Sequence, residues 1–321
     1  MPSRSSKSNP KRFHSMRITT SPFVLSLLAA STPSIAATIN VPADHATITA
    51  AVAAAGPADT IFIEAGTYYE SSIYIESPDL TITGATNADG TPAVTLDGSG
   101  VGDILIAIGV VGSDGATVEN IVFTGSLGNA LWIYHMDPIV RNCVFTGITS
   151  QWQGAAIWSS DSEAIIEDCR FVGNDAGDSG NILFNKSISG DNPGLLARDC
   201  TFEDNQGYAI TQIQYTTAGI RDCTFRNNTA SAAISTFGSG GMVSVSDSLF
   251  CENAAEAIEG PWQDGGGNEY VDVCPVECAG DVTGDGTIDV SDLLAVIADW
   301  GNPYDVGDLL TVIGEWGEAC P

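Results

Sequence analysis

RDCTFEDN (198–205) and RDCTFRNN (221–228) are two copies of a repeat that decides the fold. Four further segments share its pattern: ENIVFTGS (119–126), RNCVFTGI (141–148), EDCRFVGN (167–174) and SDSLFCEN (246–253). Every copy has phenylalanine at its fifth position, four have cysteine at the third, and four end in asparagine. The phenylalanines recur at intervals of 22, 26, 31, 23 and 25 residues. Such a spacing indicates a stack of structural repeats.

One repeat is too short and too polar to bury its apolar side chains alone. Stacked as parallel coils, equal positions of successive repeats lie about 4.8 Å apart, so that like side chains meet. We therefore expect phenylalanine and cysteine to point inward, with the cysteines reduced and buried, and asparagine to bridge neighbouring coils at a turn. The pattern predicts an all-β protein whose body is a right-handed parallel β-helix.

The start of the chain carries a family resemblance. INVPADHATITAAVAAAGPADTIFIEAGTYYESSIYIESPDLTITG (39–84) resembles the opening of pectate-lyase-like β-helix proteins. The resemblance, which extends to about residue 270, implies that a short helix around Ala46–Ala55 plugs the N-terminal end of the solenoid. It also implies a protein that acts on polysaccharide and, if it is an enzyme, a polysaccharide lyase or glycoside hydrolase.

The candidate catalytic residues follow from these chemistries. A lyase needs a basic side chain as proton abstractor, and a glycosidase needs two carboxylates about 5–9.5 Å apart. Neighbouring coils could bring such groups together, and the candidates are Asp137, Asp161, Glu163, Lys186 and Asp191. The NTD and GHG motifs of a polygalacturonase are absent from the sequence. Arg141, Arg198 and Arg221 share one register and are interpreted as a surface column paired with the adjacent Asp168, Asp199 and Asp222.

Aromatic residues follow the asparagine turn in successive repeats. They are Trp132, Tyr134, Trp152, Trp158, Phe184 and Tyr215. If they face solvent, they form a flat apolar strip on which sugar rings can stack; if they face inward, they are core. Two functions therefore stay open: a protein that binds or cleaves glycan, with Trp132, Tyr134, Trp158, Phe184 and Tyr215 as binding residues, and a structural or adhesive surface protein.

GDVTGDGTIDVSD (280–292) has the spacing of an EF-hand-type calcium loop. Oxygen ligands stand at its positions 1, 3, 5, 7, 9 and 12, with Gly286 at position 6: Asp281, Thr283, Asp285, the Thr287 carbonyl, Asp289 and Asp292. This predicts bound Ca²⁺. Aspartate at position 12 is the dockerin pattern, and the segment resembles dockerin-like modules of secreted bacterial proteins, which implies a cohesin-like or cell-surface anchoring partner. A second copy keeps only Asp305 and Asp308, so we expect one calcium ion.

Two helices are predicted beside this loop, because VSDLLAVIADWG (290–301) recurs as VGDLLTVIGEWG (306–317). Their apolar stripes are expected to pack against each other. They contain Leu293, Leu294, Val296, Ile297 and Trp300, matched by Leu309, Leu310, Val312, Ile313 and Trp316. A disulfide between Cys278 and Cys320 would clamp the module, and Cys251 would then pair with Cys274.

The N-terminus predicts export. A basic stretch, the apolar run SPFVLSLLAA and small residues up to Ala36 form a secretory signal, too short for a membrane span. The expected domains are the signal (1–36), the β-helix (37–273) and the dockerin-like module (274–321). After removal of the signal, six basic residues face 40 acidic ones, which excludes nucleic acid and anionic lipid as partners. We expect an extracellular or cell-surface location.

Overall fold

The structure, a computed structural model, describes residues 36–99, 104–109, 114–150, 153–177, 180–187, 194–213, 217–237, 242–254, 256–275, 280, 282–283, 287–298, 300, 306–314 and 316–317. The chain winds through three sheets in turn, contributing one strand to each sheet per coil, and every strand pairs in parallel with its equivalent in the neighbouring coils. This is the predicted all-β parallel solenoid.

Three sets of strands make up the described solenoid. The first sheet contains β1 (Thr38–Val41), β2 (Thr60–Ile63), β5 (Thr81–Gly84), β8 (Thr117–Glu119), β11 (Ile139–Arg141), β14 (Ile165–Glu167), β17 (Gly194–Arg198), β20 (Thr217–Arg221), β23 (Val243–Ser246) and β26 (Trp262–Gly266). The second sheet contains β3 (Gly66–Tyr68), β6 (Val94–Asp97), β9 (Ile121–Thr124), β12 (Val144–Thr146), β15 (Arg170–Val172), β18 (Thr201–Glu203), β21 (Thr224–Arg226), β24 (Leu249–Cys251) and β27 (Glu269–Val271). The third sheet contains β4 (Ile73–Ile75), β7 (Ile106–Ile108), β10 (Leu131–Tyr134), β13 (Ile157–Ser160), β16 (Asn181–Lys186), β19 (Tyr208–Ile213), β22 (Ala232–Phe237) and β25 (Glu256–Glu259).

The repeat phenylalanines form a continuous stack inside the second sheet, as predicted. The six rings are nearly parallel, with centroids 4.9, 4.8, 4.5, 5.0 and 4.8 Å apart along the series. Tyr270 adds a seventh ring, 5.2 Å from Phe250. The phenylalanines are buried in the single core cluster that runs along the described solenoid. Their spacing matches the distance between strands, so ring stacking and backbone pairing favour the same register.

The repeat asparagines form a second ladder beside the rings. Asn205 is representative: its Oδ1 accepts hydrogen bonds from the backbone N–H and the Nδ2 of Asn174, both at 3.0 Å. Its own Nδ2 donates to the Phe171 carbonyl at 2.8 Å and to Asn228 Oδ1 at 3.0 Å. Each buried amide is therefore satisfied only when the next coil supplies an asparagine at the same position.

Two left-handed turns border each of the six strands of the second sheet that carry a repeat phenylalanine, and they explain the rest of the repeat. Residues three before and two after each phenylalanine have positive φ between 46° and 68°. The first set is Asn120, Asn142, Asp168, Asp199, Asp222 and Asp247, and the second is Gly125, Gly147, Gly173, Asp204, Asn227 and Glu252. Asparagine, aspartate and glycine tolerate this conformation best, which is why they dominate these positions.

The four repeat cysteines are free and buried, as predicted. They are Cys143, Cys169, Cys200 and Cys223, and each thiol lies 3.2–3.3 Å from the carbonyl two residues before it. Burial raises the pKa of the Cys169 thiol. All four side chains lie in the core cluster, where they pack as small apolar residues.

Helix α1 (Ile48–Ala54) lies close to the predicted segment. Thr47 caps its N-terminus by accepting a hydrogen bond from Ala50 N–H, and the Glu70 carboxylate accepts from Ile48 and Thr49. Its buried face, Ile48, Ala51 and Val52, joins the core cluster. The helix thereby packs against apolar side chains of the first described coils, at the end of the first sheet where β1 is the terminal strand.

The arginine column is present, but its predicted partners were wrong. Arg141 pairs with Glu119 at 2.5 Å and Arg198 pairs with Glu167. These glutamates occupy the same register one coil away, because Glu119, Arg141, Glu167 and Arg198 are successive members of one column. Asp168, Asp199 and Asp222 instead have positive φ at the left-handed turns. Their side chains therefore leave the backbone in a different direction from those of the arginines.

Helices α2 (Val290–Ala298) and α3 (Val306–Gly314) form as predicted, but most of their apolar stripes do not pack together. Val296 and Val312 are buried with Ile288, and Leu293 and Leu309 pack against them. Eight other apolar residues are 49–63% exposed: Val290, Leu294, Ile297, Trp300, Val306, Leu310, Ile313 and Trp316. The helices meet along a narrow seam, so the outer half of each stripe faces solvent.

Cys251 and Cys274 form the predicted disulfide. Cys278 and Cys320 lie outside the described residues. Within the described ranges, no helix is long and apolar enough to span a membrane.

The ring stack allows a direct test of the core. We expect Phe202→Ala to lower the free energy of unfolding by about 3–5 kcal/mol, because it leaves a cavity between two stacked rings. Phe237→Ala, at a half-exposed position, is the control and should change it by less than about 1 kcal/mol. Urea unfolding followed by circular dichroism measures both, and equal effects would contradict the stacked core.

Candidate functional site

The candidate site lies on the outer face of the third sheet, where three of the predicted aromatic residues share one register. Trp132, Trp158, Phe184 and Thr211 are successive partners on β10, β13, β16 and β19. Their neighbours Leu131 and Ile157 point into the core cluster. Side chains alternate along a strand, so the tryptophans point outward, and both are partly exposed.

The two tryptophan rings lie face to face. Their centroids are 5.3 Å apart and their planes differ by 2°. Tyr134 stacks against Trp132 at 5.3 Å, and the Lys186 Nζ lies 4.9 Å from the centroid of the Trp158 ring. Rings that stack along the solenoid axis cover each other's faces and present their edges outward. We call Trp132, Tyr134, Trp158 and Lys186 the aromatic column.

This arrangement differs from the flat strip that the sequence left open. Phe184 shares the outward register but is only 1% exposed, so it offers no surface to a ligand in this conformation. Trp152 and Tyr215 lie outside the described residues. The described surface is therefore a short row of ring edges with one ammonium group at its end. It suits hydrogen bonding and edge contacts better than broad stacking of sugars.

Lys186 is the only lysine after residue 11. Within the described part of the chain it makes no ion pair with a carboxylate, although the chain has 40 acidic residues. Its ammonium group is held over Trp158 by a cation–π contact, which places a positive charge at the edge of the aromatic column.

Two of the candidate carboxylates beside this column have structural partners, whereas Glu163 is exposed and its carboxylate makes no hydrogen bond or ion pair among the described residues. Asp161 accepts hydrogen bonds from the hydroxyls of Ser160 and Ser187, both at 2.9 Å. Asp137 accepts one from the backbone N–H of Glu163 at 2.7 Å. Asp191 lies outside the described residues. Asp137 and Asp161 are thus used to hold turns together, which is a sufficient reason for their presence.

Beneath the aromatic column the interior becomes polar. Ile108 and Ile133 are followed in the same inward register by Ser159 and Asn185, and then by Thr236 two coils further on. Among the described residues, the Ser159 hydroxyl and both polar atoms of the Asn185 amide are buried without a hydrogen-bond partner. Buried polar groups of this kind usually bind internal water.

The second candidate site is the loop before α2. Asp292 is fully buried, and its Oδ1 accepts hydrogen bonds from the backbone N–H (3.0 Å) and the hydroxyl (2.9 Å) of Thr283. Its Oδ2 accepts from the backbone N–H of Asp289 at 2.8 Å. The residues at positions 3 and 9 of the predicted loop therefore donate hydrogen bonds to the carboxylate at position 12. Thr287 is described, whereas Asp281 and Asp285 lie outside the described residues.

The Asp292 carboxylate is kept ionised in this setting. Burial acts to raise the pKa of Asp292, but the hydrogen bonds from Asp289 and Thr283 outweigh it and lower the pKa below the ordinary value. The described residues contain no group of three or more histidine, cysteine, aspartate or glutamate side chains arranged to hold a metal.

Comparison with known proteins concerns the solenoid. Residues 106–272 match the family model described as "Right handed beta helix region". Similar solved structures include the pectin methylesterase of Aspergillus niger, with 16% identity, 74% of this chain and 87% of that chain covered, and a TM-score of 0.39. Carrot pectin methylesterase shows 14% identity, coverage of 76% and 90%, and a TM-score of 0.41. A PL6 family polysaccharide lyase from Pseudopedobacter saltans shows 13% identity, coverage of 69% and 65%, and a TM-score of 0.38. The chain has no match among curated proteins.

The hydrogen bonds of Asp161 lead to a prediction about its role. We expect Asp161→Gly to lower the free energy of unfolding by about 1–3 kcal/mol, because two buried serine hydroxyls lose their acceptor while glycine keeps the left-handed turn. Asp168→Gly is the matched control: it lies at another left-handed turn, it makes no side-chain hydrogen bond in the described structure, and we expect a change within about 0.5 kcal/mol. If Asp161→Gly leaves urea unfolding unchanged, the structural role is wrong.

Proposed function

The chain belongs to the right-handed β-helix family, and from that premise we propose that it is an exported protein that binds extracellular polysaccharide and is held in place by a calcium-dependent dockerin-like module. The observation that carries the first part is the aromatic column on the third sheet. It combines partly exposed indole and phenol rings with a positive charge that no described carboxylate neutralises.

The aromatic column suits a glycan for two physical reasons. Tryptophan and tyrosine offer apolar contact to C–H groups of a sugar, together with N–H and O–H groups for its hydroxyls. Successive coils repeat these groups at about the strand spacing, so an extended chain can contact several of them in turn. Lys186 adds a site for an anionic substituent on a surface that otherwise repels anions.

Binding is better supported than cleavage. Asp137 and Asp161 serve as acceptors for turn and hydroxyl hydrogen bonds, and Lys186 is engaged with Trp158. None of these three groups is presented as an uncommitted acid or base. Glu163 is exposed and its carboxylate has no partner among the described residues, but one such carboxylate does not make the pair that a glycosidase needs. If the protein is an enzyme, a lyase or glycoside hydrolase remains the expected class. The second candidate function is a structural or adhesive surface protein, which the commitment of these carboxylates to the scaffold also favours.

The C-terminal module is proposed to bind one Ca²⁺. Asp281, Thr283, Asp285, the Thr287 carbonyl, Asp289 and Asp292 would be its ligands. Bound calcium would neutralise the crowded carboxylates and fix the loop ahead of α2. The supporting observation is the buried Asp292, whose carboxylate already accepts hydrogen bonds from Thr283 and Asp289.

The same module is proposed to anchor the protein through a cohesin-like or cell-surface partner. The support is the set of eight exposed apolar residues on and just after α2 and α3, which pair off at a constant offset of sixteen residues between the two copies. Monomeric proteins rarely leave contiguous apolar surface of this kind uncovered. Together with the predicted export signal, the proposed anchor leads us to propose an extracellular or cell-surface location.

Glycan binding is tested by affinity electrophoresis in gels that contain pectin, alginate, xylan or a soluble β-glucan. We expect at least one of them to retard the wild-type protein. Trp158→Ala and Lys186→Met should each weaken the interaction by roughly tenfold, because each removes a contact of about 1–2 kcal/mol. Tyr69→Ala, an exposed aromatic outside the aromatic column, is the control and should bind as wild type.

Retardation by none of these glycans would leave the structural or adhesive function. If both substituted proteins are retarded as strongly as the wild type, the binding site lies elsewhere on the protein.

Calcium binding is tested by isothermal titration calorimetry on the full chain freed of metal with EDTA. We expect one site per chain, and Asp292→Asn should weaken it at least tenfold, because the residue loses charge at position 12 of the loop. Asp308→Asn is the matched control, since Asp308 holds the equivalent place in the second, incomplete copy. Two sites, or equal losses in both variants, would contradict the single-loop proposal.

A further inference from the structure

The asparagine ladder follows a strict rule from coil to coil. The backbone N–H of each asparagine donates to the Oδ1 of the asparagine in the next coil, as between Asn228 and Asn253 at 3.1 Å. Its carbonyl accepts a backbone N–H from that next coil, as Asn228 accepts from Ala254 at 2.9 Å. Every rung therefore needs the following coil to complete it.

Asn253 is the last rung, and the following coil does not complete it. Three residues after Tyr270, where the repeat would place asparagine, the chain has Val273, which is 70% exposed. Among the described residues, the Asn253 backbone N–H has no acceptor and its carbonyl has no donor. Its Nδ2 donates to the Phe225 carbonyl at 2.8 Å, and the second hydrogen of this amide has no acceptor within the described ranges.

A cavity lies where the missing rung would be. Its volume is about 240 Å³. It is lined by Phe250, Cys251, Glu252, Asn253, Ala257, Tyr270, Val271 and Asp272. The disulfide from Cys251 to Cys274 ties the departing chain to the preceding coil beside this cavity. The unpaired groups of Asn253 therefore border a space that can accept another segment.

The ring stack ends at the same place. Tyr270 stacks one face on Phe250, and the residue is 50% exposed, with no further ring stacked on it in the part of the chain that the structure describes. Strand β27, which carries Tyr270, is the terminal strand of the second sheet, so one of its edges has no neighbouring strand in the described structure. A free ring face, an unfinished amide rung and an open strand edge thus occur together.

The acidic residues around the open end limit which kind of segment can bind there. The chain has no lysine or arginine after Arg226, while Glu252, Glu269 and Asp272 surround the open end. A second copy of this acidic end would be repelled, and a polyanion likewise. A segment with positive charge would be attracted.

We propose that the C-terminal end of the solenoid is a docking site for an extended, positively charged peptide segment of a partner protein. The segment pairs in parallel with the free edge of β27, places an aromatic ring on Tyr270, and supplies an asparagine three residues later. That asparagine's Oδ1 accepts from the N–H and Nδ2 of Asn253, and the backbone N–H after it donates to the Asn253 carbonyl. Binding of this kind is strand addition to an open sheet edge.

The protein itself provides a probe of the right pattern. The probe is a fluorescent peptide with the sequence of residues 219–231, GIRDCTFRNNTAS, and the substitution Cys223→Ser. It contains two arginines, and its phenylalanine and asparagine have the required spacing. We expect saturable binding to the full-length protein, measured by fluorescence anisotropy at low salt. The same peptide with Asn228→Leu should bind roughly tenfold more weakly, because the rung hydrogen bonds are lost.

Variants of the protein locate the site. Tyr270→Ser removes the free ring face and should weaken the peptide roughly tenfold. Tyr74→Ser, at an equally exposed tyrosine on β4, is the control and should bind as wild type. Raising the ionic strength should weaken binding further, since the attraction between the arginines and the carboxylates is screened. Circular dichroism verifies that both variants remain folded.

The outcomes separate clearly. Asparagine-dependent binding that Tyr270→Ser weakens supports the site. No saturable binding, binding equal for the Asn228→Leu peptide, or concentration-dependent dimers of the protein alone that Tyr270→Ser abolishes would each overturn the proposed occupant.

Discussion

The structure depends on one constraint: equal positions of successive coils must lie directly above one another. Parallel pairing sets the strand spacing, and the stacked rings of Phe171 and Phe202 and the amides of Asn174 and Asn205 match it. A shift of one residue would turn every ring outward and leave every amide unpaired, so register is specified at several places in each coil. The left-handed turns on both sides of each ring keep the register when the rest of the coil varies in length, because insertions occur at other turns.

The same constraint shapes the outer surface. Trp132 and Trp158 stack because their positions are in register, in the way that the core rings stack, although they face solvent. Stacking leaves their edges for contact and positions Trp158 to hold the Lys186 ammonium group. The aromatic column is therefore a by-product of the fold's periodicity as well as a candidate binding surface. Only substitutions that spare the core, such as those at Lys186, separate the two roles.

The fold was predictable from sequence because the repeat is visible in the letters themselves. Phenylalanine, cysteine and asparagine each have one physical role per coil, and the structure confirms all three. The candidate site was only partly predictable. Strand alternation could not decide the facing of Trp158, and nothing in the sequence revealed that Phe184 would be covered. The arginine partners were missed because Asp199 is adjacent to Arg198 in sequence, whereas Glu119 and Glu167 become neighbours of the arginines only after stacking. On α2 and α3, periodicity predicted the apolar stripes but could not say how much of each the partner helix covers.

The inward-facing register of the third sheet changes from isoleucine to serine and asparagine along the solenoid. The coils on the two sides of this change should therefore differ in stability. Coils that contain Ile108 and Ile133 gain the full benefit of apolar burial, whereas those with Ser159 and Asn185 carry buried groups that need water. In a repeat protein, stability is close to a sum over coils and their nearest neighbours. The solenoid should therefore begin to unfold at its carboxyl end and unfold last at its amino-terminal end, which α1 covers. Hydrogen exchange should slow progressively toward the amino-terminal coils, and the aromatic column lies at the boundary between the two regimes.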